Sequence, residues 1–386
     1  MEPWLTYPVD GPKTHALVIG VSRYDNVPDP PDLANPELLG IKQAQTPAAS
    51  AYRFARWLRD DYNPPSGGLA NLWLLLSASD LERNDPDVAQ AEADVPDPTR
   101  DNVQTALKHW KDACLNHPDD VAMLYISGHG VQKSSEGSVV LLQDFHDDNQ
   151  LNVLERAIDM GGVKAGMSRS NVAQTQFYFV DACRVHPDLF DDYWDVKPGL
   201  SIDEPVAGFA RVSKVFFGAA SGTTALGLPG EGTLFSMALH ECLRRKAAKS
   251  LEGSKWGVTS ESLAAALDLE VSRLAADYEA EQITAPGGSG VDTPIHVFTE
   301  PPPVDLRITI EPRLAAPLAT ADVFDGDVGE FLLKDRPFAP EVVAQIPPGQ
   351  YSMAVRLDDN DHGFASKEGL GLAAVPPTTV RPVKVD

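Results

Sequence analysis

Runs of apolar residues alternate with amphipathic stretches over the first three quarters of the chain. Four short segments are almost continuously apolar: "HALVIGV" (15–21), "NLWLLL" (71–76), "VAMLYIS" (121–127) and "QFYFVD" (176–181). A fifth is "SKVFFGAA" (213–220). Strand-length runs of this kind predict a sheet buried on both faces. Between them the apolar period changes to that of a helix. Thr46-Pro47 reads as a helix start with proline in the first turn, followed by Ala51, Phe54, Ala55 and Leu58 at helical spacing. Further helices are expected over about 99–115, 234–245 and 260–279. Their stripes include Val103, Leu107, Trp110 and Cys114; Phe235, Leu239 and Cys242; and Leu263, Leu267, Val271, Leu274 and Tyr278. Strands alternating with helices predict an α/β fold with a mainly parallel sheet, and in such sheets sites form beyond the carboxyl ends of the strands.

The texture changes at "APGGSGVDTPIHVFTEPPPVD" (285–305), which is punctuated by Gly and Pro. Beyond it the apolar period is two. Leu306, Ile308 and Ile310 alternate with polar neighbours, as do Tyr351, Met353, Val355 and Leu357. The pattern predicts a domain of about 1–300 and a small antiparallel β-sandwich over 304–386. Asp80 to Asp97 carries seven acids against one arginine and reads as an exposed, flexible loop. A second long irregular segment, from about His186 to Ala210, follows closely behind a cysteine.

Composition narrows the classes. With 386 residues the chain has room for one large domain and a smaller one, and 43% apolar residues is ordinary for a globular protein. A formal charge of −24 argues against nucleic acid and anionic membranes as partners, since phosphate contacts need clustered Lys and Arg. No long apolar run or signal-peptide pattern occurs. Three widely separated cysteines do not form a disulfide framework, so a cytoplasmic location is expected.

Two strand ends carry the candidate chemistry. "YISGHGVQ" (125–132) ends an apolar strand with His129 between two glycines, and "FYFVDACRV" (177–185) ends another with Cys183. If the strands are parallel neighbours, both side chains emerge at one edge of the sheet. A thiolate is the attacking species, and an imidazole can take its proton and return it to the leaving amine. Cys183 is therefore the candidate nucleophile and His129 the acid/base group, with the Gly130 and Cys183 amides as oxyanion donors. Cys183 could alternatively pack inertly at the strand end. Cys114 and Cys242 lie on apolar helix stripes and read as core residues. No spacing suggests a zinc site, and no cofactor is expected.

These motifs, together with "HALVIGVSRYDN", "LLQDF" and "VFFGAASG…GTLFSMALHECL", resemble the caspase-like cysteine peptidases over about residues 12–300. The separation of His129 and Cys183 also matches the roughly fifty residues of that group. The resemblance implies a six-stranded, mainly parallel sheet flanked by helices, with "TPIHVF" as the last strand. It implies a Cys183/His129 endopeptidase with an acyl-enzyme intermediate, acting on a protein or peptide substrate under an activating protein partner.

Asp-Ala-Cys, in place of the Gln-Ala-Cys of true caspases, is similar to the metacaspase and bacterial members. Asp181 would then line the first specificity pocket and select Arg or Lys. It could instead cap the strand end or polarise the histidine region. A further acid common in metacaspases is missing from "LLGIKQAQTPAASAYRF", leaving Asp191, Asp192 and Asp195 as substitutes. Lys197 and Arg211 are candidate processing sites. Calcium dependence, known in some relatives, would need an acidic cluster such as Asp144, Asp147 and Asp148, for which a solvated loop is the favoured reading. Relatives of this type serve regulated stress or defence pathways. The competing function is a catalytically silent caspase-fold scaffold or recognition protein acting through its β-domain. Arg184 is left open between a surface residue, a partner for the acidic loop and a thiolate-stabilising charge.

Overall fold

A computed structural model describes residues 1–32, 35–132, 137–169, 171–186, 196–203, 209–325, 328–357 and 363–385. Five strands, β1 (Lys13–Val21), β2 (Gly68–Ser77), β3 (Val121–Gly128), β4 (Thr175–Ala182) and β5 (Val212–Phe217), form the middle of a seven-stranded sheet. Their order is β2-β1-β3-β4-β5, and every pair among them is parallel. The edges are antiparallel: Leu5–Thr6 beside β2 and Ala285–Ser289 beside β5. The near-continuous apolar runs are the buried strands, as expected of a sheet covered on both sides.

Helix α1 (Pro47–Asp60) packs against β1, β2 and β3. Its Phe54 stacks on Tyr125 of β3 at 4.8 Å and lies 5.1 Å from Phe179 of β4, which itself stacks on Phe216 of β5 at 5.2 Å. On the opposite face Leu17, Ile19, Leu124, Ile126, Tyr178 and Val180 join one core with Val103, Trp110 and Cys114. The second group comes from α3 (Arg100–Ala113) and its C-cap.

Several local expectations change. The acidic stretch 80–97 is not a loop throughout, because α2 (Pro86–Asp94) crosses it with Val88 and Ala91 buried. Asp85 caps this helix by accepting from the Asp87 amide at 2.9 Å. Its apolar stripe of two small residues is too narrow to register as a period. A Gly-rich helix, α4 (Met160–Arg169), precedes β4. Helix α5 (Leu234–Glu241) ends in a wide turn at Cys242–Lys246, and α6 covers Ser260–Asp277.

"TPIHVF" is not the last strand of the main sheet. That place belongs to Ala285–Ser289, and Pro294–Val297 lies outside the sheet. The edge strand pairs through its backbone and exposes most of its length, so "APGGS" leaves no apolar signature.

The chain forms two compact units, Met1–Glu241 with Leu263–His296, and Cys242–Ser262 with Val297–Asp386. The second holds two sheets around one core. Val304–Glu311 is flanked by Val342–Ile346 and Thr378–Lys384. The other sheet runs Phe331–Pro337, Ala319–Phe324, Gly349–Leu357, Lys367–Ala374. Leu306, Ile308, Ile310, Met353 and Val355 are buried between them, with Tyr351 and Leu357 partly covered. The sandwich is not wholly antiparallel, because Val304–Glu311 and Thr378–Lys384 run parallel. A period of two records which face is buried and is silent on strand direction.

Candidate active site

The register of two strands places the candidate pair. β3 and β4 run side by side, with Gly128 opposite Ala182. The pairing resumes past their ends, where Val131 bridges Val185 and the Gln132 amide donates to the Val185 carbonyl at 2.8 Å. His129 and Cys183 therefore occupy matching positions at one carboxyl edge. Gly130 allows this approach: a Cβ there would sit 2.5 Å from the Cys183 carbonyl oxygen and 2.7 Å from the Ala182 Cβ. Any side chain would push the two strand ends apart.

The histidine is oriented by one distant hydroxyl and one backbone carbonyl. Its backbone N–H donates to the Tyr24 hydroxyl at 2.7 Å, and the two rings lie 5.1 Å apart. Its Nε2 lies 2.5 Å from the Lys42 carbonyl oxygen. A carbonyl only accepts, so Nε2 carries the hydrogen and Nδ1 of the neutral ring keeps the lone pair. Burial lowers the His129 pKa, and the Lys42 carbonyl opposes part of that shift.

Cys183 is half-buried and is the one of the three cysteines that is not fully enclosed. Its Sγ accepts from the Ala225 N–H at 3.3 Å, and the thiol faces the Ala225 carbonyl at 3.7 Å. Burial raises its pKa, the Ala225 N–H works against that, and the Asp181 charge adds to it. Thiol and neutral imidazole are thus the resting forms at neutral pH. The loop carrying Ala225 is tied back to the histidine side, since the Gln132 side chain accepts from Ser221 Oγ at 2.9 Å and from the Gly222 N–H at 3.0 Å.

His129, Cys183 and Asp181 line one cavity of about 340 Å³, walled by Lys42 to Pro47 on one side and by Ala225, Gly227 and Thr233 on the other. Asp181 is only 2% exposed. Its Oδ2 accepts from three hydroxyls, Tyr125 (2.8 Å), Ser127 (3.1 Å) and Thr233 (2.5 Å). Oδ1 has no hydrogen-bond partner among the described residues. Burial raises the Asp181 pKa to about 6 despite the three hydroxyls and the nearby Arg53 charge. A buried carboxylate oxygen without a donor is costly, and a cation entering the cavity would relieve that cost. None of these bonds goes to His129.

The remaining candidates are dispersed. Lys197 and Arg211 are exposed and line no part of the cavity, and Arg211 makes a 3.9 Å ion pair with Asp119. Asp191, Asp192 and Asp195 lie outside the described residues. Asp144 and Asp147 turn to Arg156, at 2.5 and 3.4 Å. No group of three or more potential metal ligands converges among the described residues. Arg184 is buried, with its guanidinium 4.2 Å from the centre of the Phe217 ring. The Arg184 backbone N–H donates to the Thr223 carbonyl at 2.9 Å. No helix among the described residues is long and apolar enough to cross a membrane.

A family model described as "Caspase domain" matches residues 13–283. The chain belongs to the caspase domain family. This is a family of cysteine peptidases, and the matched span contains all five parallel strands, His129, Asp181 and Cys183. Among solved structures the chain is similar to the crystal structure of caspase-1 from Spodoptera frugiperda, at 11% identity and a TM-score of 0.42. That match covers 75% of this chain and 94% of the insect protein. No curated protein matches the chain.

Proposed function

We propose that this caspase-family protein is a cysteine endopeptidase that cleaves after Arg or Lys. The observation that carries the reading is the shared cavity. One strand edge presents a thiol, an imidazole with Nδ1 free of a proton, and a buried carboxylate with an unmatched oxygen.

The chemistry follows from the resting protonation states. As Cys183 Sγ attacks the scissile carbonyl carbon, its proton passes to Nδ1 of His129, so no standing thiolate is needed. The carbonyl oxygen becomes an oxyanion, for which the Cys183 and Gly130 amides are the proposed donors. The imidazolium then gives its proton to the departing amine nitrogen, and the Lys42 carbonyl holds the ring through the transfer. Water deprotonated by the same Nδ1 attacks the thioester, releasing the acid and restoring the thiol. The basic side chain of the substrate would meet Asp181 Oδ1, supplying the partner that the free protein lacks.

The family resemblance also supports a regulated stress or defence role in a bacterial cell. Lys197 and Arg211 are the proposed activation cuts, each a basic residue in an exposed position. Calcium dependence finds no support in the placement of Asp144 and Asp147 beside Arg156. An acyloxymethyl ketone peptide with Arg at its reactive end tests the site. It should label wild type and not Cys183→Ala, and labelling of the variant at an equal rate would sink the assignment. Intact-mass analysis of the active enzyme tests processing, and a fully active uncut chain would remove Lys197 and Arg211 from the account.

A further inference from the structure

A second, half-buried charge lies behind Asp181. Arg53 projects from α1, with Nη1 donating to Ser236 Oγ at 3.2 Å and Nη2 donating to the Glu231 carbonyl. The residue after Glu231 is glycine, whose φ of 122° other residues rarely adopt, and its backbone lets Nη1 approach closely. The guanidinium is thus fitted into a backbone cradle. From it a short polar relay leads to the carboxylate. The Ser236 N–H donates to Thr233 Oγ1 at 3.0 Å, the Thr233 N–H donates to Ser50 Oγ at 3.0 Å, and the Thr233 hydroxyl donates to Asp181 Oδ2.

Arg53 does not line the cavity, so it is not placed to touch a substrate. Its hydrogen-bond partners are a carbonyl and a hydroxyl, both uncharged, so its positive charge is not cancelled by a bonded acid. The titratable groups acting on Asp181 come from three elements: Arg53 on α1, Tyr125 on β3, and Cys183 following β4. Tyr125 stays protonated because burial drives its pKa well above the ordinary value, and Cys183 rests as a thiol. Arg53 is the cation of the set. Glu231 acts on Arg53 from the hairpin.

We propose that Arg53 is a positioning residue that determines specificity by holding Asp181 ionised, and so sets the lower pH limit at which a basic substrate residue is selected. This rests on the assignment of Asp181 as the acid that recognises Arg or Lys. Burial alone favours the protonated carboxyl, which can hydrogen-bond but cannot pair with a cation. The charge behind the relay opposes that burial without occupying the oxygen that a substrate needs.

The test compares two fluorogenic peptides that differ only at the cleavage residue, arginine against its uncharged isostere citrulline, from pH 5 to 9. For wild type the arginine preference in kcat/KM should fall away below about pH 6. In Arg53→Met the fall should begin at a higher pH; a shift of about one unit lowers the preference at pH 6.5 about threefold while leaving it near wild type at pH 8.5. Arg53→Gln, which keeps a donor for the Glu231 carbonyl, should shift the same way if the methionine variant folds poorly. Damage of a merely structural kind would lower the preference equally at both pH values, and that result would overturn the inference. So would variants that track wild type at every pH. Asp181→Asn separates the two levels of the argument. If it retains the arginine preference, Asp181 is not the acid that selects the basic residue, and the premise of the inference falls. If it loses the preference while the Arg53 variants follow wild type, only the role of Arg53 falls.

Discussion

Asp181→Asn should make the protein more stable at neutral and alkaline pH while removing its selectivity. The carboxylate is buried with one oxygen lacking a donor, and its pKa stands at about 6 against an ordinary 3.8. The folded state therefore holds the proton more tightly than the unfolded chain. Between about pH 4 and 6 the unfolded state releases this proton first, so stability falls as pH rises through that window. Below it the carboxyl is neutral in both states and nothing is lost. Above it the full cost of the buried charge is present, a little over two units at 1.36 kcal/mol each, or roughly 3 kcal/mol. Asparagine keeps an oxygen for the three hydroxyls and cannot ionise.

Melting temperatures measured from pH 3.5 to 8 for the pair, both carrying Cys183→Ala to prevent self-digestion, isolate the term. Other titrations cancel in the difference. The difference should move in favour of the asparagine variant by roughly 6 °C as pH rises, at about 2 °C per kcal/mol for a unit of this size. Parallel melting curves would refute the claim that this carboxylate is ionised at a cost. A shift of opposite sign would mean that it is already paired in the free protein.

Other consequences concern the dyad. Alkylation of Cys183 by iodoacetamide should rise with pH, with its midpoint above that of an ordinary cysteine, because burial raises the thiol pKa; a fast, pH-independent rate down to pH 5 would indicate a standing thiolate–imidazolium pair instead. Tyr24→Phe strips the His129 N–H of its acceptor and should cost about 1–3 kcal/mol of stability, read by thermal melting, together with a fall in kcat. An unchanged kcat would show that the tyrosine does not position the histidine. His129→Ala should abolish turnover while leaving the fold intact, since the ring lies at the cavity edge rather than in the core; retained turnover would remove His129 from the mechanism.

The sequence made the sheet and the juxtaposition of His129 and Cys183 legible for one reason. Five buried parallel strands are nearly pure apolar runs, and His129 and Cys183 stand where two of them stop. The pairing of those two strands could be inferred because parallel neighbours share a carboxyl edge. What was illegible is carried by backbone atoms or by short, small-residue segments. The Lys42 carbonyl and Ala225 N–H contact His129 and Cys183 without any side chain to announce them. Thr233 and Arg53 are distant in sequence from Asp181; folding brings the Thr233 hydroxyl onto it and the Arg53 charge within range. Tyr24 stands within a motif that marks the family, yet its hydroxyl's role is visible only in space. The parallel pair within the C-terminal sandwich, the narrow helix α2 and the edge strand "APGGS" escaped because apolar periodicity carries no trace of them.

The central claim is that Cys183, assisted by His129, cuts peptide chains after basic residues. A positional peptide library incubated with the purified full chain and analysed by mass spectrometry tests it most directly. The account predicts new termini after Arg or Lys with wild type and none with Cys183→Ala. Cleavage that persists in the variant, or that falls after acidic or apolar residues, would contradict it.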